Sequence, residues 1–93
     1  MRERWWGSSG RKVAEIAVEG DPQIVLTEAL VVNDLSEIHR IQHAHARGQP
    51  VVVRASDQDG VLAALARPEV AVVVVPEARR DLLALDLTKL TYG

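Results

Sequence analysis

The stretch that decides the fold is residues 29–56, which read ALVVNDLSEIHRIQHAHARGQPVVVRAS. Its first apolar run, 29–32, does not alternate with polar residues, which is typical of a strand buried on both faces. Its second run, 51–53, consists of β-branched valines and favours another strand. A helix between two such strands implies a right-handed crossover, so the two strands are predicted to be parallel.

The segment between these runs carries the signals of an amphipathic helix. Asp34 can accept a free N–H group at the helix start, and Glu37, three residues later, can complete a capping box. Gly48 suits a left-handed cap, and Pro50 prevents the helix from continuing. The helical spacing predicts a buried side made of Leu35, Ile38, Ile41, Gln42, His45 and Ala46.

The second half of the chain continues the same alternation. Ser56 and Asp59 resemble another capping box and predict a short helix. The run Val70–Val75 is the most apolar in the chain and predicts a strand covered on both faces, by this chain or by a partner subunit. A helix over 77–86 and a short strand over 87–92 complete the prediction.

The first third of the chain is predicted to contain a β-hairpin. Between residues 13 and 19 the side chains of Ala14, Ile16 and Val18 point one way and those of Glu15 and Glu19 the other, the pattern of a half-exposed strand. A turn at 20–22 and the apolar run that follows predict a hairpin over 13–32, with its long second strand in the middle of the sheet. A helix over 11–18 is the alternative. The predicted fold class is therefore α/β, a small single-domain sandwich of order β-β-α-β-α-β-α whose mixed sheet has its last three strands parallel.

Residues 1–12 are predicted to form a flexible basic and aromatic arm in front of a single α/β domain at 13–93, because glycine and serine follow Trp5 and Trp6. Two roles suit the tryptophans. They can fold back over an open edge of the core and bury a large area. Alternatively, they can contact a partner, such as a single nucleic-acid strand held by stacking and by arginine.

The composition limits the classes of function. A net charge of −2 over 93 residues disfavours a general nucleic-acid binder. Without cysteine, the chain has neither a thiolate nucleophile nor a disulfide. We expect a cytoplasmic protein, because neither a signal peptide nor a membrane-spanning run is present. Nine arginines against two lysines suggest a GC-rich bacterial genome.

The loops after the predicted parallel strands form the best candidate binding site. Open α/β sheets bind ligands outside the carboxyl ends of their strands, and arginine there suits an anion. Asp34, Ser56 and Glu77 also suit helix starts, so capping is an equally physical explanation of these three. The candidate ligand-binding residues are Asn33, Asp34, Arg54, Ser56, Asp57, Glu77, Arg79 and Arg80.

The sequence offers weaker signals for metal binding and catalysis. His39 and His43 have the four-residue spacing of helical zinc ligands, but no glutamate follows His39, and Arg40 and Arg47 would repel a cation. We therefore expect neither a metal nor a cofactor. The chain lacks a nucleophile elbow and a convincing pair of carboxylates, so we expect no catalytic residues and no enzyme activity.

These observations favour a non-enzymatic interaction or regulatory domain. We expect self-association or a protein partner, with Trp5, Trp6 and an open edge of the hairpin as the interface, and no membrane contact. One alternative is an α/β domain that binds an anion or a nucleotide-like small ligand at the strand-end loops, with or without catalysis. The other is weak single-stranded nucleic-acid binding by Trp5 and Trp6.

Overall fold

The structure is a computed structural model that describes residues 3–33 and 35–84. Its strands are β1 (Glu3–Trp5), β2 (Lys12–Ala14), β3 (Ile16–Val18), β4 (Leu30–Val32), β5 (Val51–Arg54) and β6 (Val72–Val75). Its α-helices are α1 (Ile38–Ala46) and α2 (Gln58–Leu65). Two 3₁₀ helices cover Leu26–Glu28 and Glu77–Ala84.

A four-stranded parallel sheet in the order β3-β6-β5-β4 is the centre of the fold. One row of aligned side chains crosses all four strands and consists of Ile16, Val73, Val53 and Val32. β1 and β2 form a separate antiparallel pair, which we call the amino-terminal ribbon. The predicted α/β class, with mixed strand directions and the last three strands parallel, is confirmed.

Both faces of the sheet are covered by the chain itself. On one face α1, α2 and the second 3₁₀ helix contribute Ile41, Val61 and Leu82 to a core that includes the aligned row. On the other face Trp6 and Ile24 pack against Val52, Val72 and Val74, with Leu26 beside them. Complete burial of one such valine is worth about 1.5–3 kcal/mol. The layer that the sequence left open to a partner subunit therefore comes from the same chain.

The predicted hairpin over 13–32 is wrong. β3 and β4 lie at opposite edges of the sheet, and β3 pairs in parallel with β6. The chain between them crosses the second face, where Ile24 and Leu26 pack. The two middle positions belong to β5 and β6, because these are the strands whose valines are fully buried on both faces. The predicted turn at 20–22 is present, since Asp21 Oδ1 accepts the Gln23 N–H at 2.9 Å. The chain after this turn enters the crossing segment and not a paired second strand.

Within the predicted amino-terminal arm, residues 3–5 form a strand that pairs with residues 12–14. Trp6 is 0% exposed, so it folds back over the core as the first interpretation expects. Trp5 is 59% exposed, with the Lys12 ammonium 4.8 Å from its ring centroid. The ribbon's turn is docked onto the loop after α1, where the Ser8 N–H donates to the Gly48 carbonyl at 2.9 Å. Gly7 has φ +56°, and a Cβ there would lie 2.9 Å from Pro50 Cδ.

An ion pair between a partly buried arginine and a buried glutamate joins the ribbon to the sheet. Arg4 Nε lies 3.1 Å from Oε2 of Glu15, whose side chain is only 2% exposed. The two Nη atoms of Arg4 donate to the carbonyl oxygens of Leu65, Arg67 and Val70 at 2.6–3.1 Å. Glu15 was expected on an exposed strand face, which is wrong. The chain bends at Glu15, between β2 and β3, because this carboxylate turns inward to the guanidinium.

The helix ends refine the sequence predictions. α1 begins at Ile38 and not next to Asp34, which lies outside the described residues, and Glu37 pairs with Arg40 instead of capping the helix. The predicted buried side is wrong in part, because Ala44 is buried whereas Gln42, His45 and Ala46 are exposed. Gly48 has φ +77°, which confirms its predicted role as the left-handed cap. The cap of α2 is Asp57 and not Ser56.

The end of the described chain differs in part from the predicted helix over 77–86. Residues Glu77–Ala84 form a 3₁₀ helix whose geometry is interrupted at Arg79. A 3₁₀ helix tightens each turn and is seldom stable over long stretches, which fits the interruption. The predicted strand over 87–92 lies outside the described residues.

Replacing Arg4 by alanine should reduce the free energy of unfolding by about 3 kcal/mol, because it leaves the buried Glu15 carboxylate without this partner. Three backbone carbonyls would lose a charged donor as well. Urea denaturation followed by circular dichroism measures the change. Arg80→Ala is the matched control, because it removes an exposed arginine and should cost less than about 0.5 kcal/mol. Equal losses in the two variants would contradict the structural role assigned to Arg4.

Candidate functional site

Two neighbouring clefts open at the carboxyl ends of the parallel strands. The first, of about 460 Å³, is lined by Glu19, Arg54, Ala55, Ser56, Val74, Val75, Pro76 and Glu77. The second, of about 340 Å³, is lined by Asn33, Leu35, Val53, Arg54, Ala55, Ser56, Asp57, Gly60 and Ala63. Both include Arg54, Ala55 and Ser56, so they meet at the end of β5.

The structure thus brings together most of the residues proposed from the sequence. Asn33, Arg54, Ser56, Asp57 and Glu77 line one or both clefts. Arg79 touches this region through Ser56, as described below, whereas Arg80 is not part of either cleft lining. Asp34 lies outside the described residues.

Glu19 is a site residue that the sequence did not reveal. Its Oε1 lies 2.9 Å from Arg54 Nε, and this ion pair spans from β5 to the end of β3, across the intervening strand β6. Both side chains are a little over two-fifths exposed. A local sequence pattern could not reveal this pair, because it depends on β3 lying beside β6.

Arg79 connects the two loops that border the first cleft. Its Nη1 donates to the Ser56 carbonyl at 2.9 Å, and its Nε and Nη2 donate to the two Asp81 carboxylate oxygens at 3.1 and 3.3 Å. Hydrogen bonding to Asp81 raises the pKa of Arg79, and the same bonds lower the pKa of Asp81 below its ordinary value. Arg80 lies 3.7 Å from a Glu77 oxygen. Each proposed anion contact in this region therefore already has a carboxylate neighbour.

Helix capping accounts for one of the proposed site residues. Asp57 Oδ1 accepts the Gly60 N–H at 2.7 Å, which satisfies one free donor at the start of α2. In the part of the chain that the structure describes, no group of three or more histidine or acidic side chains is placed to hold a metal ion.

A third cleft, of about 350 Å³, lies beside α1 on the opposite edge of the sheet from β3. Its lining consists of Leu30, His39, Arg40, His43, Ala44, Arg47 and Gln49, and we call it the α1 cleft. Arg40 pairs with Glu37, but Arg47 has no ion-pair partner among residues 3–33 and 35–84. The sequence does not reveal this cleft, because it does not show that β4 is an edge strand.

No protein-family model, curated protein or solved structure matches the chain. Within residues 3–33 and 35–84, neither α-helix has the length and apolar character needed to cross a bilayer.

The Arg79–Asp81 pair should make a small pH-dependent contribution to stability. Because the pKa of Asp81 is lowered in the folded state, this contribution is present above the ordinary aspartate pKa of about 3.9 and is lost as the pH falls through the lowered value. Asp81→Asn should therefore melt below the parent at neutral pH and approach it in strong acid. Thermal melts between neutral and acidic pH test this. In Arg79→Gln the difference from the parent should also shrink in acid, but the loss of the hydrogen bond to the Ser56 carbonyl should remain at every pH. A difference independent of pH would contradict the assignment.

Proposed function

We propose that this protein is a non-enzymatic interaction module whose contact surface is the outer edge of β4, the side that does not face β5. We place it in the bacterial cytoplasm on the grounds of composition given above. The observation that carries the proposal is the pairing pattern: β4 pairs with β5 on one side, and no strand among the described residues pairs with its other side. An unpaired strand edge is a template for another extended chain.

The backbone of β4 supports this role. The Leu30 N–H donates to the Pro50 carbonyl at 3.0 Å, and residue alternation turns the same groups of Val32 toward β5. The N–H and C=O groups of Val31 therefore point away from β5. No hydrogen bond from another described residue occupies them. A segment laid along this edge would gain main-chain hydrogen bonds without displacing a hydrogen bond made by any described residue.

The opposite edge of the sheet is less suited to pairing. Ile16 and Ala17 of β3 are buried, and the second 3₁₀ helix packs against this strand. In β4, by contrast, Leu30 and Val31 are half-buried, so they retain apolar surface for a partner to cover. This asymmetry favours β4 as the interaction edge.

Replacing Val31 by proline should abolish binding of segments that pair with this edge. Proline removes an N–H that faces away from β5, so the parallel sheet keeps its own hydrogen bonds. We expect that peptides selected from a random display library for binding to the parent will bind Val31→Pro with an affinity lower by about tenfold or more. Val31→Thr retains the N–H and is the matched control.

The proposal fails if the library yields no peptide that distinguishes Val31→Pro from Val31→Thr. Amide hydrogen exchange provides a check that needs no substitution. A bound peptide should slow exchange at Val31 in the parent.

A second candidate function is small-ligand binding at the strand-end clefts. It is favoured by one observation, the meeting of two clefts at Arg54, Ala55 and Ser56, with valine walls on one side and polar side chains at the rim. To bind the Arg54 guanidinium, an anionic ligand would have to displace the Glu19 carboxylate from it. Such an exchange is feasible because an ion pair at this level of exposure is worth only about 0–1 kcal/mol.

Thermal-shift screening with phosphate, nucleotides and small carboxylates tests the second candidate. A ligand present at about 100 times its Kd should raise the melting temperature by several degrees, following about 2.7 kcal/mol of added stability. The shift should disappear in Arg54→Ala and persist in Arg11→Ala, whose arginine lies over the Trp6 ring, away from both clefts. A screen without any shift would argue against this function.

A further inference from the structure

We infer that the segment bound by the β4 edge is an extended acidic peptide in which acidic and apolar residues alternate. This inference rests on the proposed function and adds the chemistry of the partner. It follows from combining the free edge of β4 with the α1 cleft beside it.

The α1 cleft is cationic. Two arginines and two histidines contribute to its lining, and none of the lining residues within 3–33 and 35–84 is acidic. Arg47 is exposed and has no carboxylate partner in the described part of the chain, whereas Arg40 is held by Glu37 at 2.6 Å. Imidazoles and guanidinium groups both donate hydrogen bonds to carboxylates. A partner with negative charge would therefore find donors here that are not already occupied.

The position of the cleft would let its side chains contact one face of an added strand. Leu30 of β4 forms part of the lining together with the flank of α1, so the cleft adjoins the edge itself. Side chains of a strand alternate between the two faces of a sheet. Every second side chain of an added segment would therefore lie on the α1 side, within reach of the long side chains of Arg40 and Arg47.

The other face of the same edge is apolar. Val31 lies there with Leu26 and Ala29, all three partly buried and packed against the core that contains Trp6. Side chains of the added segment on this face would cover apolar surface. The two faces of the edge thus predict that acidic and apolar residues alternate along the bound segment.

A second copy of the chain is a poorer occupant. Pairing β4 with β4 around a two-fold axis would bring the two α1 clefts next to each other, because Leu30 of β4 and the flank of α1 both line this cleft. Arg47 would then face a surface with the same charge, which opposes association. An acidic segment has the complementary charge.

The test uses the labelled peptide acetyl-Glu-Val-Glu-Val-Glu-Val-Glu-amide and fluorescence anisotropy with the intact chain. We expect binding that weakens as salt is raised. Arg47→Gln should weaken it about threefold, and the Arg40→Gln/Arg47→Gln double variant about tenfold. Arg11→Gln, which changes an arginine outside the α1 cleft, is the matched control and should bind like the parent.

Control peptides separate charge from pairing. The Lys-Val peptide of the same length should not bind, and a peptide with its glutamates and valines in separate blocks should bind more weakly. Val31→Pro should remove binding of the alternating peptide, and Val31 amide exchange should slow when the peptide is bound to the parent.

Four results would overturn the inference. If peptides of another pattern bind in a manner sensitive to Val31→Pro while the acidic peptide does not, the edge function stands and the assigned chemistry is wrong. If oligothymidine displaces the peptide and depends on Arg47, the cleft serves nucleic acid. If sedimentation shows a dimer that Val31→Pro dissociates, a second copy occupies the edge. If no Val31-dependent binder exists, the proposed function and this inference both fail.

Discussion

The Arg4–Glu15 pair is the interaction on which the arrangement of the layers depends. A single guanidinium binds the carboxylate at the bend between β2 and β3 and three carbonyl oxygens in the segment from α2 to β6. These groups are up to 66 residues away in sequence. The pair therefore fixes the ribbon against the sheet, and the ribbon in turn holds Trp6 over Val52, Val72 and Val74. Without that cover, one face of a sheet made of valines would be exposed to water, at a cost of about 25 cal/mol for each Å² of apolar surface.

Two-sided burial explains both the order of the strands and the position of the functional surfaces. β5 and β6 occupy the middle because their side chains can be covered on both faces, which leaves β3 and β4 at the edges. All four strands run in one direction, so the loops after β4, β5 and β6 gather at one end of the sheet. The same topology leaves one edge covered by a 3₁₀ helix and the other beside α1. The clefts and the free edge are thus consequences of the valine pattern.

The sequence was sufficient for the part of the fold that local signals specify. The runs at 29–32, 51–53 and 70–75, together with the Gly48 cap, gave the β-α-β-α-β order and gathered Arg54, Ser56 and Glu77 at one end of the sheet. The hairpin was wrong because alternation and a turn describe a strand but not its partner, and β3 pairs with a strand more than fifty residues later. The inward turn of Glu15 and the Glu19–Arg54 pair depend on the same long-range pairing. The sequence could not predict the α1 cleft as a binding surface for a related reason. The cleft adjoins an unpaired strand only because β4 lies at an edge of the sheet.

The distribution of ion pairs distinguishes the two candidate surfaces. At the strand ends Arg54 and Arg79 already face Glu19 and Asp81, so a ligand anion gains only the difference between its own contact and the one it replaces. Because exposed pairs are weak, this exchange costs little, but it also leaves little net attraction. In the α1 cleft Arg47 has no carboxylate partner among the described residues, and no described residue hydrogen-bonds to the outward N–H and C=O of Val31 in the adjoining β4. Charge and main-chain hydrogen bonds then act on the same bound segment. That combination is the physical reason for preferring an extended acidic chain to a small anion as the ligand of this protein.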